Sequence, residues 1–170
     1  MYKLKYVVGT LLLVGIDQIS KIYAQNHFLE EMKVFDFFRL KLTYNSGIAF
    51  SIPISQGIVI FLTVVILAGL GYQLFFKKLS LVENIALLLV FGGAIGNLVD
   101  RILVGTVTDF LAFWSFPIFN LADTFITVGI VLFLWDEVFG NKKNHPKGGF
   151  SRKGRLKSFL CSFFNGNLFG

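Results

Sequence analysis

The sequence predicts an all-α polytopic membrane protein with four transmembrane helices and a small extracytoplasmic β-sheet after helix 1. Hydrophobic residues make up 55% of the 170 residues and charged residues only 15%, whereas a soluble domain is about one quarter charged. The apolar residues lie in four stretches, each close to the roughly 20 residues that cross a bilayer. A further segment alternates apolar and polar residues, which is typical of a strand.

The four apolar stretches predict the transmembrane helices. They cover about residues 4–23, 57–76, 81–99 and 119–139. The first could be mistaken for a signal peptide, but Asp17 and Lys21 lie where a small-residue cleavage site would be found. We therefore interpret it as a retained helix.

The distribution of Lys and Arg predicts the topology. Eleven of the sixteen lie near the N-terminus, in the turn after the second stretch or beyond residue 141. The positive-inside rule then places both termini in the cytoplasm and the two longer loops outside. Residues 1–141 are predicted to form the membrane-embedded domain and residues 142–170 a basic cytoplasmic tail. In so apolar a chain, a net charge of +6 indicates anionic lipid headgroups as partners rather than nucleic acid.

The first outer loop contains the predicted strand. In FRLKLTYN, residues 38–45, Phe38, Leu40, Leu42 and Tyr44 alternate with polar residues. This period of two gives the strand one apolar face and predicts a small sheet on the outer membrane surface. No internal repeat is visible in the sequence, which disfavours an inverted-repeat transporter.

Several polar residues inside the apolar stretches are expected to lie at one depth. With a helical rise of about 1.5 Å per residue, Asp17 lies about 18 Å from the inner edge of a bilayer core of about 30 Å. The same estimate gives about 20 Å for Asp123 and about 26 Å for Asn97. Carboxylates in the membrane are functional candidates by default, because their burial is costly.

Structural roles for these residues are also open. Asp17 and Lys21 have the i, i+4 spacing of a helix ion pair. Asn120 and Asp123 have the spacing of a capping box, in which Asp123 only completes the start of a helix. Asp100 fits an orienting charge at the end of the third helix.

Small residues surround the polar positions of the third stretch. Asn97 and Arg101 are spaced i, i+4 on the face that carries Gly93. Gly92 and Gly96 would let another helix approach closely. The sequence therefore predicts that this part of the third helix packs against a neighbour.

Asp109 and Asp123 are separated by thirteen uncharged residues. Two carboxylates held close together in apolar surroundings cannot both ionise, so one of them retains a proton. That is the acid/base pair of an aspartic protease, in which one carboxylate activates water and the other donates to the scissile carbonyl. The pair needs neither metal nor cofactor, and one Cys and two His form no recognisable metal motif.

Five motifs resemble, in the same order, those of lipoprotein signal peptidase, the type II signal peptidase of bacteria. They are DQISK (17–21), NSGIAFS (45–51), GGAIGNLVDR (92–101), VTDF (107–110) and FNLAD (119–123). The resemblance covers about residues 1–140, and five ordered motifs are far more specific than one. The tail has no counterpart among them.

The resemblance implies an aspartic endopeptidase of the bacterial cytoplasmic (inner) membrane with its active site on the extracytoplasmic side. The family removes signal peptides from prolipoproteins that carry a diacylglyceryl group, and it cuts on the N-terminal side of the lipidated Cys. The catalytic positions are Asp109 and Asp123. The substrate-binding positions are Asn45, Gly47, Asn97, Arg101 and Asn120, and the supporting positions are Asp17, Lys21 and Asp100. The implied partners are prolipoproteins and membrane lipids, the protein is expected to be a monomer, and neither a metal nor a cofactor is expected.

Three other hypotheses are compatible with parts of the sequence. A small proton- or ion-coupled transporter would use the membrane carboxylates as a path; these are Asp17, Asp100 and Asp123. A serine peptidase would use Lys21 as the base for Ser46 or Ser51, although NSG is also an ordinary turn sequence. A membrane adaptor without activity would leave the five motifs unexplained.

Overall fold

The computed structural model describes residues 2–46 and 55–139. The four helices in this part of the chain are α1 (Tyr2–His27), α2 (Gln56–Phe76), α3 (Leu81–Leu103) and α4 (Leu121–Phe139). The three strands are β1 (Met32–Phe35), β2 (Phe38–Asn45) and β3 (Val107–Phe113). Gly47, Ser51 and the predicted tail, 142–170, lie outside the described residues.

All four predicted helices are present, and α1 and α3 extend further toward the predicted outer side than their apolar stretches. Among the described residues, three helices are long and apolar enough to cross a membrane: α1 from Lys3, α2 and α3. The fourth, α4, has 19 residues and contains three acidic ones: Asp123, Asp136 and Glu137. The described part of the molecule is therefore mostly helical, with three candidate spans and one shorter helix.

The ends of α3 are defined by local hydrogen bonds. At its start Ser80 Oγ accepts from the Glu83 backbone N–H at 3.1 Å, and a Glu83 carboxylate oxygen accepts from the Ser80 N–H at 2.7 Å, which completes a capping box. At its end Gly105 has a φ of 85° and donates its N–H to the Asp100 carbonyl at 3.2 Å. Glycine adopts this left-handed conformation without steric cost, and the chain turns here into β3.

The packing of α3 against the other three helices depends on small residues. A Cβ added at Gly93 would lie 2.5 Å from the Ala122 carbonyl oxygen of α4. One added at Gly129 of α4 would lie 2.6 Å from the Ala86 carbonyl oxygen of α3. The backbones of α3 and α4 are therefore almost in contact. The close approach predicted at Gly92 and Gly96 is also present, and there the neighbour is α1: added Cβ atoms would lie 2.7 Å from Leu13 and 2.6 Å from Asp17.

The sheet is antiparallel with the order β1-β2-β3. The predicted strand over residues 38–45 is confirmed as β2. The prediction that the sheet follows helix 1 is incomplete, because its third strand, β3, comes from the second outer loop. Most of β3 is buried, so it lacks the polar and apolar alternation that reveals a half-exposed strand.

A bulge in β2 changes which side chains share a face. Leu40 pairs with Leu111, but Thr43 pairs with Asp109, so β2 contains one residue more than β3 over this interval. An extra residue reverses the alternation. Asn45 therefore lies on the face of Asp109, whereas Tyr44, predicted on the apolar face, is exposed.

The sheet is attached to the C-terminal end of α1. Phe110 of β3 packs in a small apolar cluster with Ala24 and Phe28. Gln25 Nε2 of α1 also donates to Thr108 Oγ1 of β3 at 2.9 Å. These contacts hold β3, and the Asp109 that it carries, against the ends of the helices.

Candidate active site

Asp109 is buried on β3, and both of its carboxylate oxygens accept hydrogen bonds from amides. Asn120 Nδ2 donates to Oδ1 at 2.6 Å and Asn45 Nδ2 donates to Oδ2 at 3.1 Å. Burial, reinforced by the negative charge of Asp123, raises the pKa of Asp109 to about 6. Asp109 therefore retains a proton to a higher pH than an ordinary aspartate does.

Asp123 lies in the first turn of α4, and its two carboxylate oxygens accept hydrogen bonds from different residues. Its Oδ2 accepts from the Asn120 backbone N–H at 3.4 Å, and Asn120 Oδ1 accepts from the Asp123 N–H at 2.9 Å. The predicted capping box is thus present. The other oxygen, Oδ1, accepts from Asn97 Nδ2 at 2.7 Å. One side chain therefore both caps α4 and belongs to the polar site.

The amides of Asn97 and Asn120 are oriented by their neighbours. Asn97 Oδ1 accepts from Lys21 Nζ at 3.1 Å and from Asn120 Nδ2 at 3.1 Å. An ammonium group can only donate, so the NH₂ of Asn97 must point to the other side, where Asp123 lies. Asn120 Oδ1 similarly accepts from the Asp123 backbone N–H, and the Asn120 NH₂ donates to Asp109. Both aspartates therefore receive side-chain N–H donors.

Lys21 is buried and uses all three of its ammonium hydrogens. Its Nζ lies 2.8 Å from Asp17 Oδ2, 2.9 Å from Asp100 Oδ2 and 3.1 Å from Asn97 Oδ1. The structural interpretation of Asp17 and Lys21 as an i, i+4 ion pair is confirmed. The pair is more than local, however, because it includes Asp100 of α3 and directs Asn97.

Asp17 and Asp100 connect this ion cluster to the elements that carry the aspartate pair. Asp17 Oδ1 accepts from the Ala122 N–H of α4 at 2.9 Å, which satisfies one of the free N–H groups at a helix start. Asp100 Oδ2 accepts from the Thr108 N–H of β3 at 3.1 Å. The predicted convergence of these residues at one end of the bundle is confirmed.

Arg101 borders the site from the last turn of α3. It is half-buried, and its Nη1 donates to the Asn97 carbonyl at 3.3 Å. Its charge is close enough to interact with Asp123 and Asp109. Gly47, the remaining predicted substrate contact, lies outside the described residues.

The sequence analysis did not identify Gln18 as part of the site. Its Nε2 donates to Asp100 Oδ1 at 2.8 Å and to the Gly96 carbonyl at 3.2 Å. Its position as an amide side chain in an apolar helix, within DQISK, was the sequence signal that could have indicated a buried polar contact. The Gln25–Thr108 hydrogen bond joins residues 83 positions apart, and no local pattern indicates it.

The chemistry that these residues can supply is proton transfer. Within residues 2–46 and 55–139, no three His, Cys, Asp or Glu side chains are grouped so that they could hold a metal ion. Two carboxylates, both hydrogen-bonded to Asn120, can instead exchange protons with a molecule bound beside them. The fold and site together define a helical membrane protein with two aspartates joined through Asn120 at one end of its bundle.

Comparison with known proteins gives the family. Residues 9–139 match the family model described as "Signal peptidase (SPase) II". The chain belongs to this signal peptidase II family.

The similar proteins support the match over most of the chain. A "Lipoprotein signal peptidase" of Fusobacterium nucleatum subsp. nucleatum is 38% identical over 84% of this chain and 91% of the relative. A "Lipoprotein signal peptidase" of Streptococcus pyogenes serotype M2 is 38% identical over 83% of this chain and 100% of the relative. A solved bacterial membrane enzyme, determined by the in meso method, is 29% identical, with a TM-score of 0.72 over 84% of this chain and 94% of its own.

Proposed function

We propose that this protein is an aspartic endopeptidase that removes signal peptides from diacylglyceryl-modified prolipoproteins, cutting on the N-terminal side of the lipidated Cys. The observation that carries the proposal is the convergence of Asp109 and Asp123 on Asn120, which contacts both. Membership of the signal peptidase II family and the relatives named "Lipoprotein signal peptidase" support the substrate class.

The two aspartates would have different roles in hydrolysis, Asp123 as the general base and Asp109 as the general acid. The Asp123 carboxylate removes a proton from water as the water oxygen attacks the scissile carbonyl, and protonated Asp109 donates its proton to the carbonyl oxygen. The raised pKa of Asp109 supports this assignment. The tetrahedral species then collapses: the C–N bond breaks, the proton that Asp123 took from water moves to the leaving Cys nitrogen, and a hydroxyl proton of the tetrahedral species returns to Asp109, which leaves a carboxyl group, an amine and both aspartates in their starting states.

The residues around the pair would position the substrate. Asn45, Asn97 and Asn120 hold the aspartates with N–H donors and are proposed to contact the peptide as well. Arg101 is proposed to hold a substrate carbonyl or headgroup oxygen, and Gly47 to allow the peptide to approach the backbone. Because one chain supplies all of these residues, we propose a monomer as the active unit.

The proposed topology has four spans, with both termini in the cytoplasm. The 19 residues of α4 extend about 28 Å, close to a bilayer core of about 30 Å, and the acidic residues of this helix lie near its two ends. The site then lies on the extracytoplasmic side of the bacterial inner membrane. We propose residues 1–141 as the peptidase domain and 142–170 as a basic tail on anionic lipid.

The test is cleavage by the purified protein. A prolipoprotein that carries a diacylglyceryl group should be shortened at its lipidated Cys, and the same precursor without the lipid should remain intact. Cleavage should survive strong chelation and serine-directed acylating reagents. A non-cleavable hydroxyl analogue of the scissile bond should block it, because it mimics the tetrahedral species. Loss of activity in chelator that added zinc restores would contradict the aspartyl mechanism, and ion flux without cleavage would favour a transporter.

A further inference from the structure

We propose that the aromatic end of the sheet is an interfacial anchor, which inserts into the lipid headgroup region of the leaflet on its side of the membrane. The aromatic end comprises five exposed side chains: Phe35, Phe37, Phe113, Trp114 and Phe116. The proposal requires that the helices span the membrane. It does not depend on the cleavage reaction.

The aromatic end is a preformed cluster. The rings of Phe35 and Phe37 stack with centroids 5.6 Å apart, and Phe37 lies 5.3 Å from Phe113. Trp114 is 77% exposed. Its backbone φ of 47° is one that bulky residues rarely adopt. The Trp114 backbone N–H donates to the Phe37 carbonyl at 2.8 Å, and the Trp114 carbonyl accepts from Arg39 Nη2 at 3.4 Å. The turn therefore holds the indole outward.

The cluster lies on the strand that packs against the C-terminal end of α1. Phe113 follows Asp109 by four residues, so the cluster lies about 14 Å along β3 from the candidate site. Between the two, Phe110 packs at 6.2 Å from Phe28, and Phe28 lies 5.8 Å from Tyr23. Tyr23 is exposed on α1, a candidate membrane span. Aromatic contacts thus connect Tyr23, on the surface of a candidate span, with Phe110 at the centre of β3.

The charges around the cluster favour a neutral lipid surface as its occupant. Lys33 pairs with Asp36 at 2.8 Å, and Glu31 pairs with Arg39 at 2.9 Å and with Lys41 at 3.2 Å. Residues 28–45 contain three basic and three acidic residues, so this part of the sheet has no net charge. Aromatic rings concentrate at the headgroup level of membranes, and burial of this patch needs no charged partner.

The two tryptophans of the chain, Trp114 and Trp135, make the proposal directly measurable. The Trp135→Phe variant of the full chain retains only Trp114. It is reconstituted in phosphatidylcholine vesicles that contain lipids with a nitroxide either near the headgroup or near the chain end. We expect a loss of Trp114 fluorescence that is greater with the headgroup-proximal nitroxide, a blue-shifted emission, and the same result when phosphatidylglycerol replaces part of the phosphatidylcholine.

The matched control is Trp114→Phe, which retains Trp135 on the candidate fourth span and shows that the protein is folded and inserted. Quenching of Trp114 by aqueous iodide without quenching by either lipid would overturn the proposal. So would protection from both quenchers that varies with the protein-to-lipid ratio, because it would show that a second copy covers the cluster. A requirement for phosphatidylglycerol would overturn the proposed neutral surface.

Discussion

Asp109 and Asp123 differ at the level of their immediate surroundings, although both are aspartates in one hydrogen-bonded group. Asp109 is buried and Asp123 is half-buried. Removing a carboxylate from water disfavours its ionised form, and a second negative charge adds to the effect. Burial and the nearby charge of Asp123 therefore raise the pKa of Asp109.

The Asp109→Asn and Asp123→Asn variants should each abolish cleavage while the protein still accumulates in the membrane. The folded-state pKa of Asp109, about 6, exceeds its ordinary value of 3.8. Ionisation of Asp109 is therefore less favourable in the folded protein than in the unfolded chain. The effect is at most about 3 kcal/mol. Wild-type stability should therefore fall as the pH rises from about 4 to about 6, so the Tm of Asp109→Asn relative to wild type should rise over this range and level off above it.

The control for this pH dependence is Asp36→Asn, which changes an exposed aspartate. Its Tm relative to wild type should not follow the same trend. A constant Tm difference for Asp109→Asn over that pH range would show that Asp109 has no unfavourable charge in the folded protein. Near-normal turnover by either aspartate variant would remove that aspartate from the catalytic pair.

Lys21 and Lys33 form ion pairs with the same 2.8 Å separation to an aspartate but differ in burial. Lys21→Met would leave Asp17 and Asp100 buried without their cation, at a cost of about 3–5 kcal/mol. Lys33→Met should change stability by about 1 kcal/mol or less, because its pair is exposed. Thermal unfolding in detergent compares the two variants. Equal Tm changes would contradict the stabilising role of the buried cluster.

At the scale of elements, the site depends on the close approach of α3 and α4. Asn97 lies on α3, and Asn120 and Asp123 lie at the start of α4, so the distance between these helices sets the distances within the site. Gly93 is the residue of α3 in contact with the Ala122 backbone. A methyl group there must push the first turn of α4 away.

We expect Gly93→Ala to reduce stability by about 1–3 kcal/mol, as overpacked substitutions do, and to reduce cleavage because Asp123 moves with α4. Gly15→Ala is the matched control, since no atom lies within 4 Å of the added Cβ. This change in α1 should be neutral or stabilise by up to about 1 kcal/mol. Tm and initial rates measure both effects. Wild-type behaviour of Gly93→Ala would show that the helices can separate freely.

At the scale of the whole molecule, the membrane orients the site relative to its substrate. The ion cluster, the aspartate pair and the sheet are all at one end of the bundle. The basic residues near the N-terminus and in the turn between α2 and α3 are at the other end. Orientation in the membrane therefore decides which compartment the aspartate pair faces.

The single cysteine, Cys161, tests the orientation. A thiol reagent that cannot cross membranes should label Cys161 in inverted inner-membrane vesicles but not in intact spheroplasts. In a Cys161→Ser background, Glu31→Cys, in the loop between α1 and the sheet, should give the opposite result. Labelling of Cys161 from outside the cell would contradict a cytoplasmic C-terminus.

The sequence alone determined the four helices, strand β2 and the aspartate pair. Hydrophobic stretches and period-two alternation are local signals, because each residue's burial repeats with the geometry of its own element. Asp109 and Asp123 were recognisable because carboxylates among apolar residues are costly and need a reason. The five ordered motifs added the family, which the comparisons confirmed.

Only the tertiary structure decided the partners of these residues. Strand β3 shows no alternation because it is mostly buried, and the bulge in β2 that places Asn45 beside Asp109 has no local signal. The orientation of the Asn97 amide follows from Lys21, 76 positions away. Hydrogen-bond partners so distant along the chain are chosen by the packing of α1, α3 and α4, since a buried polar group must pair with whichever donor or acceptor the folded chain brings within reach.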